Sequence, residues 1–155
     1  EARFADMHHN VPLLTRRLLD GLALIKRWML LGDLPTLPIG LCAAGACSPV
    51  ALRVAALRDL DIFAVVCRDG LIDLAGMVYL RSLASPLLLL AGGDERTTAS
   101  NRRALRALSC RQELKRLPTG ATSSDSPDSA VAFEFVARET AQWFVQHRPK
   151  VVATS

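Results

Sequence analysis

The sequence LPIGLCAAGACSPVAL, residues 37–52, predicts a short buried strand, a tight turn and the start of a helix. The apolar run is residues 37–42, and the small residues 43–45 permit a sharp reversal of the chain. Ser48 and Pro49 favour a helix start, because Ser can cap free backbone N–H groups and Pro is tolerated in a first turn. Ligands and nucleophiles of α/β proteins lie at strand-to-helix turns of this kind.

Three further strands are predicted at similar intervals along the chain. Residues 62–67 (IFAVVC) and 86–91 (PLLLLA) are apolar throughout, as in strands covered on both faces, whereas residues 112–117 are of mixed polarity and belong nearer a sheet edge. Successive strands start roughly 25 residues apart, which leaves room for one crossover of helix length in each interval. This alternation predicts an α/β fold, with a mostly parallel sheet flanked by helices on both faces.

Helical periodicity is clearest at the two ends of the chain. Residues 11–31 carry an apolar stripe formed by Leu14, Leu18, Leu22, Ile25 and Met29. Other helices are predicted over residues 50–60, 98–108 and 130–147, and residues 72–84 form a short helix or an irregular crossover. The length of 155 residues corresponds to one domain. We expect an irregular segment over residues 1–10, the domain over residues 11–147 and a tail over residues 148–155.

Composition excludes several classes of protein. The chain has a net charge of +4, and many of its basic residues lie in the segment 102–116. No aromatic residues alternate with these basic residues to stack on nucleic-acid bases. A solvated helix face is therefore the better interpretation, and no nucleic-acid partner is expected. No run of apolar residues reaches the roughly 20 needed to cross a membrane, and no signal peptide is recognisable, so no membrane partner is expected.

The four cysteines, Cys42, Cys47, Cys67 and Cys110, contain no C-x-x-C pair. Their spacing is that of neither a disulfide framework nor a zinc site, so we expect reduced thiols, a cytoplasmic location and no bound metal. The adjacent His8 and His9 are a poor metal site, because neighbouring side chains point apart.

From about residue 11 to residue 147 the chain resembles bacterial dienelactone-hydrolase-like proteins of the α/β-hydrolase superfamily. Four segments carry the resemblance, in order and almost without gaps: VPLLTRRLLDGL with LPIGLCAAGA, AVVCRDGLIDLAG, SPLLLLAGGDERTTASNRRAL, and LPTGATSSDSP with the helix ending in QWFVQH. The resemblance implies hydrolysis of small esters or lactones by a nucleophile, a histidine base and a carboxylate, with no organic cofactor or metal.

The catalytic positions of the family are only partly matched. Asp94 follows its strand where the family has the triad carboxylate; without the resemblance it would be interpreted as a turn residue or helix cap. Gly45 stands at the Ser position of the family's G-x-S-x-G turn, and Ser123 stands where the family has the histidine of a G-A-T-H loop. The chain also begins after strands that the family has. The strand near residue 37 could therefore be an apolar sheet edge, which predicts a homo-oligomer or a partner segment that completes the sheet.

Three functions remain open on these residues. One is a pseudo-hydrolase that keeps the fold without the triad, and another is a non-enzymatic binding or interaction domain. A third is a hydrolase that uses Cys47, in the sequence G-A-C-S-P, as a displaced thiol nucleophile near a helix start, where thiolates are stabilised. Nucleotide binding is disfavoured, because no Lys and Ser/Thr follow the G-x-x-x-x-G spacing of Gly40 and Gly45.

Overall fold

Helices and strands alternate along the chain, as predicted. The computed structural model describes residues 10–92, 94–118 and 127–150, with side chains from residue 130 onward in the last range. The described part contains α1 (Val11–Leu31), β1 (Ile39–Ala44), α2 (Ser48–Leu57), β2 (Ile62–Arg68), α3 (Met77–Ser82), β3 (Leu87–Ala91), α4 (Glu95–Leu105), β4 (Gln112–Arg116) and α5 (Pro127–His147), with 3-10 turns at Gly45–Cys47 and Ile72–Ala75.

The four strands form one parallel sheet in the order β1-β2-β3-β4. Each strand pairs with the next one along the chain; Leu41 lies opposite Val65, for example, and Cys67 lies opposite Leu89. This arrangement confirms the predicted α/β fold with a parallel sheet. Within the described residues β4 is an edge strand, as predicted, and β1 is the other edge.

Helices cover the sheet on both faces, also as predicted. One face packs against α1 to α4, and its core includes Leu52, Val65 and Leu89. The other face packs against α5 through Trp143 and Phe144, and its core consists of Ala64, Val66, Leu88, Leu90 and Leu117. The three crossovers between neighbouring strands have the same hand, which places α2, α3 and α4 on the same face.

The start of α2 differs from the prediction that Ser48 caps it. Ser48 is the first helical residue, and Cys47 occupies the cap position without a side-chain hydrogen bond. The Ser48 hydroxyl is completely buried and donates to the carbonyl oxygen of Asp69 at 2.9 Å. The predicted cap is therefore wrong, because this hydroxyl is paired with the loop that follows β2. Pro49 does lie in the first turn, as expected.

Helix α1 has the predicted bounds, but only part of its apolar surface is covered. Of the predicted stripe Leu22 is buried, whereas Leu18 and Ile25 are exposed. Nine large apolar side chains on α1 and on its connection to β1 are exposed: Leu13, Leu18, Leu24, Ile25, Trp28, Leu30, Leu31, Leu34 and Leu37. Leu14 and Met29 of the stripe are half-buried, so three of its five residues are at least partly covered, and the further exposed apolar side chains lie mostly outside the stripe.

The two edges of the sheet differ in charge. Strand β4 (QELKR) carries Glu113, Lys115 and Arg116, and the Lys115 ammonium is 2.5 Å from the Glu139 carboxylate of α5. Strand β1 (IGLCAA) carries no charged residue. Charged side chains are a common protection against edge-to-edge pairing, so the β4 edge is protected and the β1 edge is not.

Candidate active site at the carboxyl ends of the strands

The turn after β1 has the backbone of a sharp strand-to-helix elbow. Ala44 is extended, and Gly45 follows it with a φ of +54°, a conformation that side-chain-bearing residues rarely adopt. The 3-10 turn Gly45–Cys47 then leads directly into α2. A Cβ added to Gly45 would have no atom within 4 Å, so the space for a side chain at this elbow is open. The predicted nucleophile position therefore lies at a true elbow, with no side chain on it.

The loop after β2 packs directly beneath this elbow. Asp69 and Gly70 both have positive φ, of 55° and 87°. The α-carbon of Gly70 approaches the carbonyl oxygen of Gly45 so closely that a Cβ there would lie 2.1 Å from it. Since the Ser48 hydroxyl also bonds to this loop, the elbow and the loop are joined by a hydrogen bond as well as by close packing.

Asn101 of α4 holds the same loop from the other side. Its amide nitrogen donates to the carbonyl oxygen of Gly70 at 2.7 Å, and its amide oxygen accepts from the backbone N–H of Ile72 at 3.1 Å. Asn101 is only 1% exposed. Sequence reasoning missed this residue, although the spacing of Asn101 from Ala104 and Leu105 places it on the apolar side of an otherwise basic helix.

The loop after β2 also contacts the end of β3. The Asp69 carboxylate accepts from the backbone N–H of Gly92 at 2.6 Å, and the Asp69 N–H donates to Leu90. The carboxyl ends of three neighbouring strands are therefore joined through Asp69, Gly70 and Asn101. None of these three residues was among the predicted site residues.

Asp94 lies at the carboxyl end of β3, where the resemblance places the catalytic acid. Its side chain accepts from the backbone N–H of Thr97 at 2.7 Å and caps α4, which therefore begins three residues earlier than predicted. This hydrogen bond lowers the pKa of the Asp94 carboxyl, which is fully exposed. The structure thus gives Asp94 the capping geometry that its sequence alone indicated.

Cys47 is exposed at the end of the elbow and lines a pocket of about 640 Å³ between α1, β1 and α2. The pocket wall is mostly aliphatic, and Arg17 is its charged residue; the lining residues are Leu14, Arg17, Leu18, Leu41, Cys42, Ala43, Ala44, Cys47, Val50 and Ala51. Nucleophilic thiols of enzymes lie at helix starts and near cations, and Cys47 shares its pocket with one arginine.

Among the other thiols, Cys42 is also exposed, whereas Cys67 is buried and Cys110 is half-buried. Burial raises the pKa of Cys67 to about 12 and also raises the pKa of Cys42 and Cys110. All four cysteines are free. In the described ranges no three His, Cys, Asp or Glu residues lie close enough together to bind a metal ion.

His147 is the one histidine within the described ranges, and it lies far from the elbow. Its Nδ1 is 2.9 Å from the carbonyl oxygen of Trp143, and the two rings are 4.1 Å apart. The Trp143 indole in turn donates to Pro86 at 3.4 Å, just before β3 begins. His147 is therefore near the amino ends of the strands, at the opposite end of the sheet from Gly45. Ser123, His8 and His9 lie outside the described residues.

Known proteins resemble this chain in fold and in sequence. The crystal structure of a dienelactone hydrolase from Anabaena variabilis superposes with a TM-score of 0.78 at 29% identity, covering 90% of this chain and 62% of that one. Two Mycobacterium tuberculosis proteins, provisionally named phosphoribosyl transferases, are each 31% identical over 140 residues. This alignment covers 89% of this chain but spans only 30% of their length. No family model matches the chain.

No described helix is both long enough and apolar enough to cross a membrane. The parallel sheet, the helices on both of its faces and the elbow after β1 agree with the similarity to the Anabaena enzyme. The chain therefore has a dienelactone-hydrolase-like α/β-hydrolase fold.

Proposed function

We propose that this chain is a pseudo-hydrolase domain, which keeps the elbow of a small-ester or lactone hydrolase without its catalytic triad. The observation that carries the proposal is Gly45: the elbow has the positive φ of a nucleophile position but no nucleophilic atom. The loop after β2 and Asn101 still hold that elbow. The rate of an acyl transfer falls by several orders of magnitude when the nucleophile is removed.

The remaining triad positions support the same proposal. The Asp94 carboxylate is engaged as a helix cap. His147, at the other end of the sheet, is too remote to serve as a base at Gly45. A general base must be within hydrogen-bonding reach of the proton that it removes, directly or through one water molecule.

Cys47 supports a second candidate function, an active cysteine hydrolase. Its thiol is exposed in an apolar pocket at the start of α2, two residues beyond the elbow glycine. In this reaction the thiolate attacks the acyl carbon, the alkoxide or phenolate leaves, and water then hydrolyses the thioester to release the acid and regenerate the thiol. The alternative interpretation of Cys47 is a small residue in the wall of a pocket that only binds.

The pocket beside Cys47 also supports a non-enzymatic binding role, with a small ester or lactone as ligand. Its aliphatic wall suits an apolar group, and the Arg17 guanidinium suits a carbonyl or carboxylate oxygen. Because the chain spans only 30% of the Mycobacterium tuberculosis proteins, their named activity is not carried over to it. The four free thiols support a cytoplasmic location, and the bacterial relatives support a bacterial origin.

Hydrolysis of p-nitrophenyl acetate by the 155-residue protein tests these functions. The pseudo-hydrolase proposal expects no turnover above that of a Cys47→Ala variant. A matched Cys42→Ala variant controls for acylation of the other exposed thiol, which would release a single equivalent of nitrophenolate. Sustained turnover that disappears in Cys47→Ala but persists in Cys42→Ala would overturn the proposal in favour of the cysteine hydrolase. Sustained turnover in all three proteins would overturn both.

A further inference from the structure

The tripeptide Asp-Gly-Leu occurs twice in the chain, at residues 20–22 and 69–71. An aspartate followed by glycine is chemically labile, because glycine has no side chain to hinder attack of its backbone nitrogen on the aspartate side chain. The first copy lies within α1, whereas the second lies in the loop after β2. Since the two tripeptides are identical, a difference in their reactivity within the folded protein must come from the fold.

We propose that Asp69-Gly70 is a site of spontaneous aspartate isomerisation, which is blocked in the folded chain and open in the unfolded chain. In this reaction the Gly70 nitrogen bonds to Cγ of Asp69, and the carboxyl hydroxyl leaves as water with the amide hydrogen. Water then adds to the main-chain carbonyl carbon of Asp69 and breaks its bond to the Gly70 nitrogen. The product is isoaspartate, in which the main chain runs through Cβ and Cγ. The reaction needs no reactant other than water.

The Asp69 carboxylate is held by groups outside its own peptide bond to Gly70. Its Oδ1 accepts from the backbone N–H of Gly92 at 2.6 Å, just beyond the end of β3. Its Oδ2 is 3.9 Å from Nε of Arg68. Ring closure requires the carboxyl group to turn from these partners toward the Gly70 nitrogen. The bond to Gly92 must therefore break before the imide can form.

The main chain on both sides of this peptide bond is also fixed. The carbonyl oxygen of Asp69 accepts from the buried Ser48 hydroxyl at 2.9 Å, and the carbonyl oxygen of Gly70 accepts from the Asn101 amide at 2.7 Å. The α-carbon of Gly70 also packs against the carbonyl oxygen of Gly45. Ring closure rotates this peptide unit, so it requires the loop to open locally, and such openings cost free energy.

The isomerised product does not fit the native loop. Isoaspartate adds one carbon atom to the main chain before Gly70, and the carboxylate that bonds to Gly92 becomes part of a peptide bond. Gly70 has no room to shift toward the elbow, because a Cβ there would lie 2.1 Å from the carbonyl oxygen of Gly45. A chain that isomerises while unfolded therefore cannot rebuild the elbow, and the modification permanently marks it.

Mass spectrometry after incubation in water enriched in the heavy oxygen isotope tests the proposal, because hydrolysis of the imide fixes one solvent oxygen atom at the modified residue. The 155-residue protein is incubated at neutral pH in buffer and in urea. In urea, Asp20 and Asp69 should take up label at rates within about twofold of each other, since no fold distinguishes them. In buffer, labelling of Asp69 should be at least about tenfold slower than in urea. Equal labelling of Asp69 in both solvents would overturn the proposal.

Refolding of a Gly21→Ala variant tests the consequence of the modification. This substitution removes the Asp-Gly sequence of α1, and it fits the helix because an added Cβ would meet no atom within 4 Å. After incubation in urea and return to buffer, the folded fraction should contain at least about tenfold less isoaspartate at residue 69 than the fraction that does not refold. Unmodified chains in the same sample are the control for refolding. Equal isoaspartate in the two fractions would show that the native loop accommodates the product, and would contradict the proposal.

Discussion

The carbonyl oxygen of Gly45 and the α-carbon of Gly70 are in direct contact beneath the elbow. A Cβ on Gly70 would lie 2.1 Å from that oxygen, whereas a Cβ on Gly45 would meet nothing within 4 Å. Both residues have positive φ. The two glycines therefore share a backbone conformation but differ in the space around them.

Alanine substitution should separate the cost of the positive φ from the cost of the close contact. Gly45→Ala should lower the free energy of unfolding by about 1 kcal/mol, the cost of a left-handed conformation for an alanine. Gly70→Ala should lower it by about 3 kcal/mol or more, because the backbone must also move to relieve the contact. Urea denaturation of the two variants measures the difference. Equal losses would show that the contact between the loop and the elbow yields easily.

Asn101 should be one of the most sensitive polar residues of the fold. Asn101→Leu removes the amide oxygen and the amide nitrogen, and it leaves the Ile72 N–H and the Gly70 carbonyl without a buried partner. We expect a loss of about 2–4 kcal/mol in the free energy of unfolding. Arg102→Ala, at an exposed neighbouring position on the same helix, is the control and should have little effect. Similar losses for both variants would argue against the role of Asn101 in holding the loop.

Asp94 variants distinguish a helix cap from a catalytic acid. Asp94→Ala should destabilise the protein, whereas Asp94→Asn should largely preserve stability, because asparagine also caps helices. The pKa of Asp94 is lowered from its ordinary 3.8 in the folded protein. The ionised aspartate therefore stabilises the fold above pH 3.8, and this stabilisation is lost as the pH falls through the lower pKa of the folded state. Thermal unfolding between pH 2 and pH 7 tests this. A stable Asp94→Asn protein that lost a measured hydrolytic activity would instead indicate a catalytic role.

The buried Cys67 thiol should make the protein sensitive to alkali. Burial raises its pKa from 9.0 to about 12, so between these values the unfolded chain releases a proton that the folded chain retains. The unfolded state then binds fewer protons, and stability should fall with rising pH by up to about 1.4 kcal/mol per unit. The stabilisation from the protonated Cys67 thiol is complete below pH 9 and is lost as the pH rises toward 12. Urea denaturation of Cys67→Ala, beside the unmodified protein, should show a shallower pH dependence.

Local sequence signals were sufficient for most of the fold. Strands β2 and β3 are apolar at nearly every position, so their burial on both faces followed from composition alone. The bounds of α1 followed from its periodicity and from Pro12 in its first turn. The parallel orientation of the strands followed from the regular strand-helix alternation.

The site could be located but not completed from the sequence. The elbow at Gly45 was expected from an apolar strand followed by small residues, whereas the partner of the Ser48 hydroxyl was not, because Asp69 lies 21 residues away in the chain. Asn101 was missed for the same reason, since its bonds to Gly70 and Ile72 join segments about 30 residues apart. Such contacts depend on tertiary packing, which no local pattern encodes.

The second core of the sheet depends on the last helix of the chain. Ala64, Val66, Leu88 and Leu90 are covered by α5 alone among the described elements, and α5 begins only at Pro127. During synthesis on the ribosome, the four strands and their crossover helices emerge before α5. The nascent sheet must therefore present a bare aliphatic face for several seconds, at a translation rate of about 5–20 residues per second. We therefore expect the growing chain to aggregate readily until α5 docks, because exposed aliphatic surfaces of folding intermediates associate with each other.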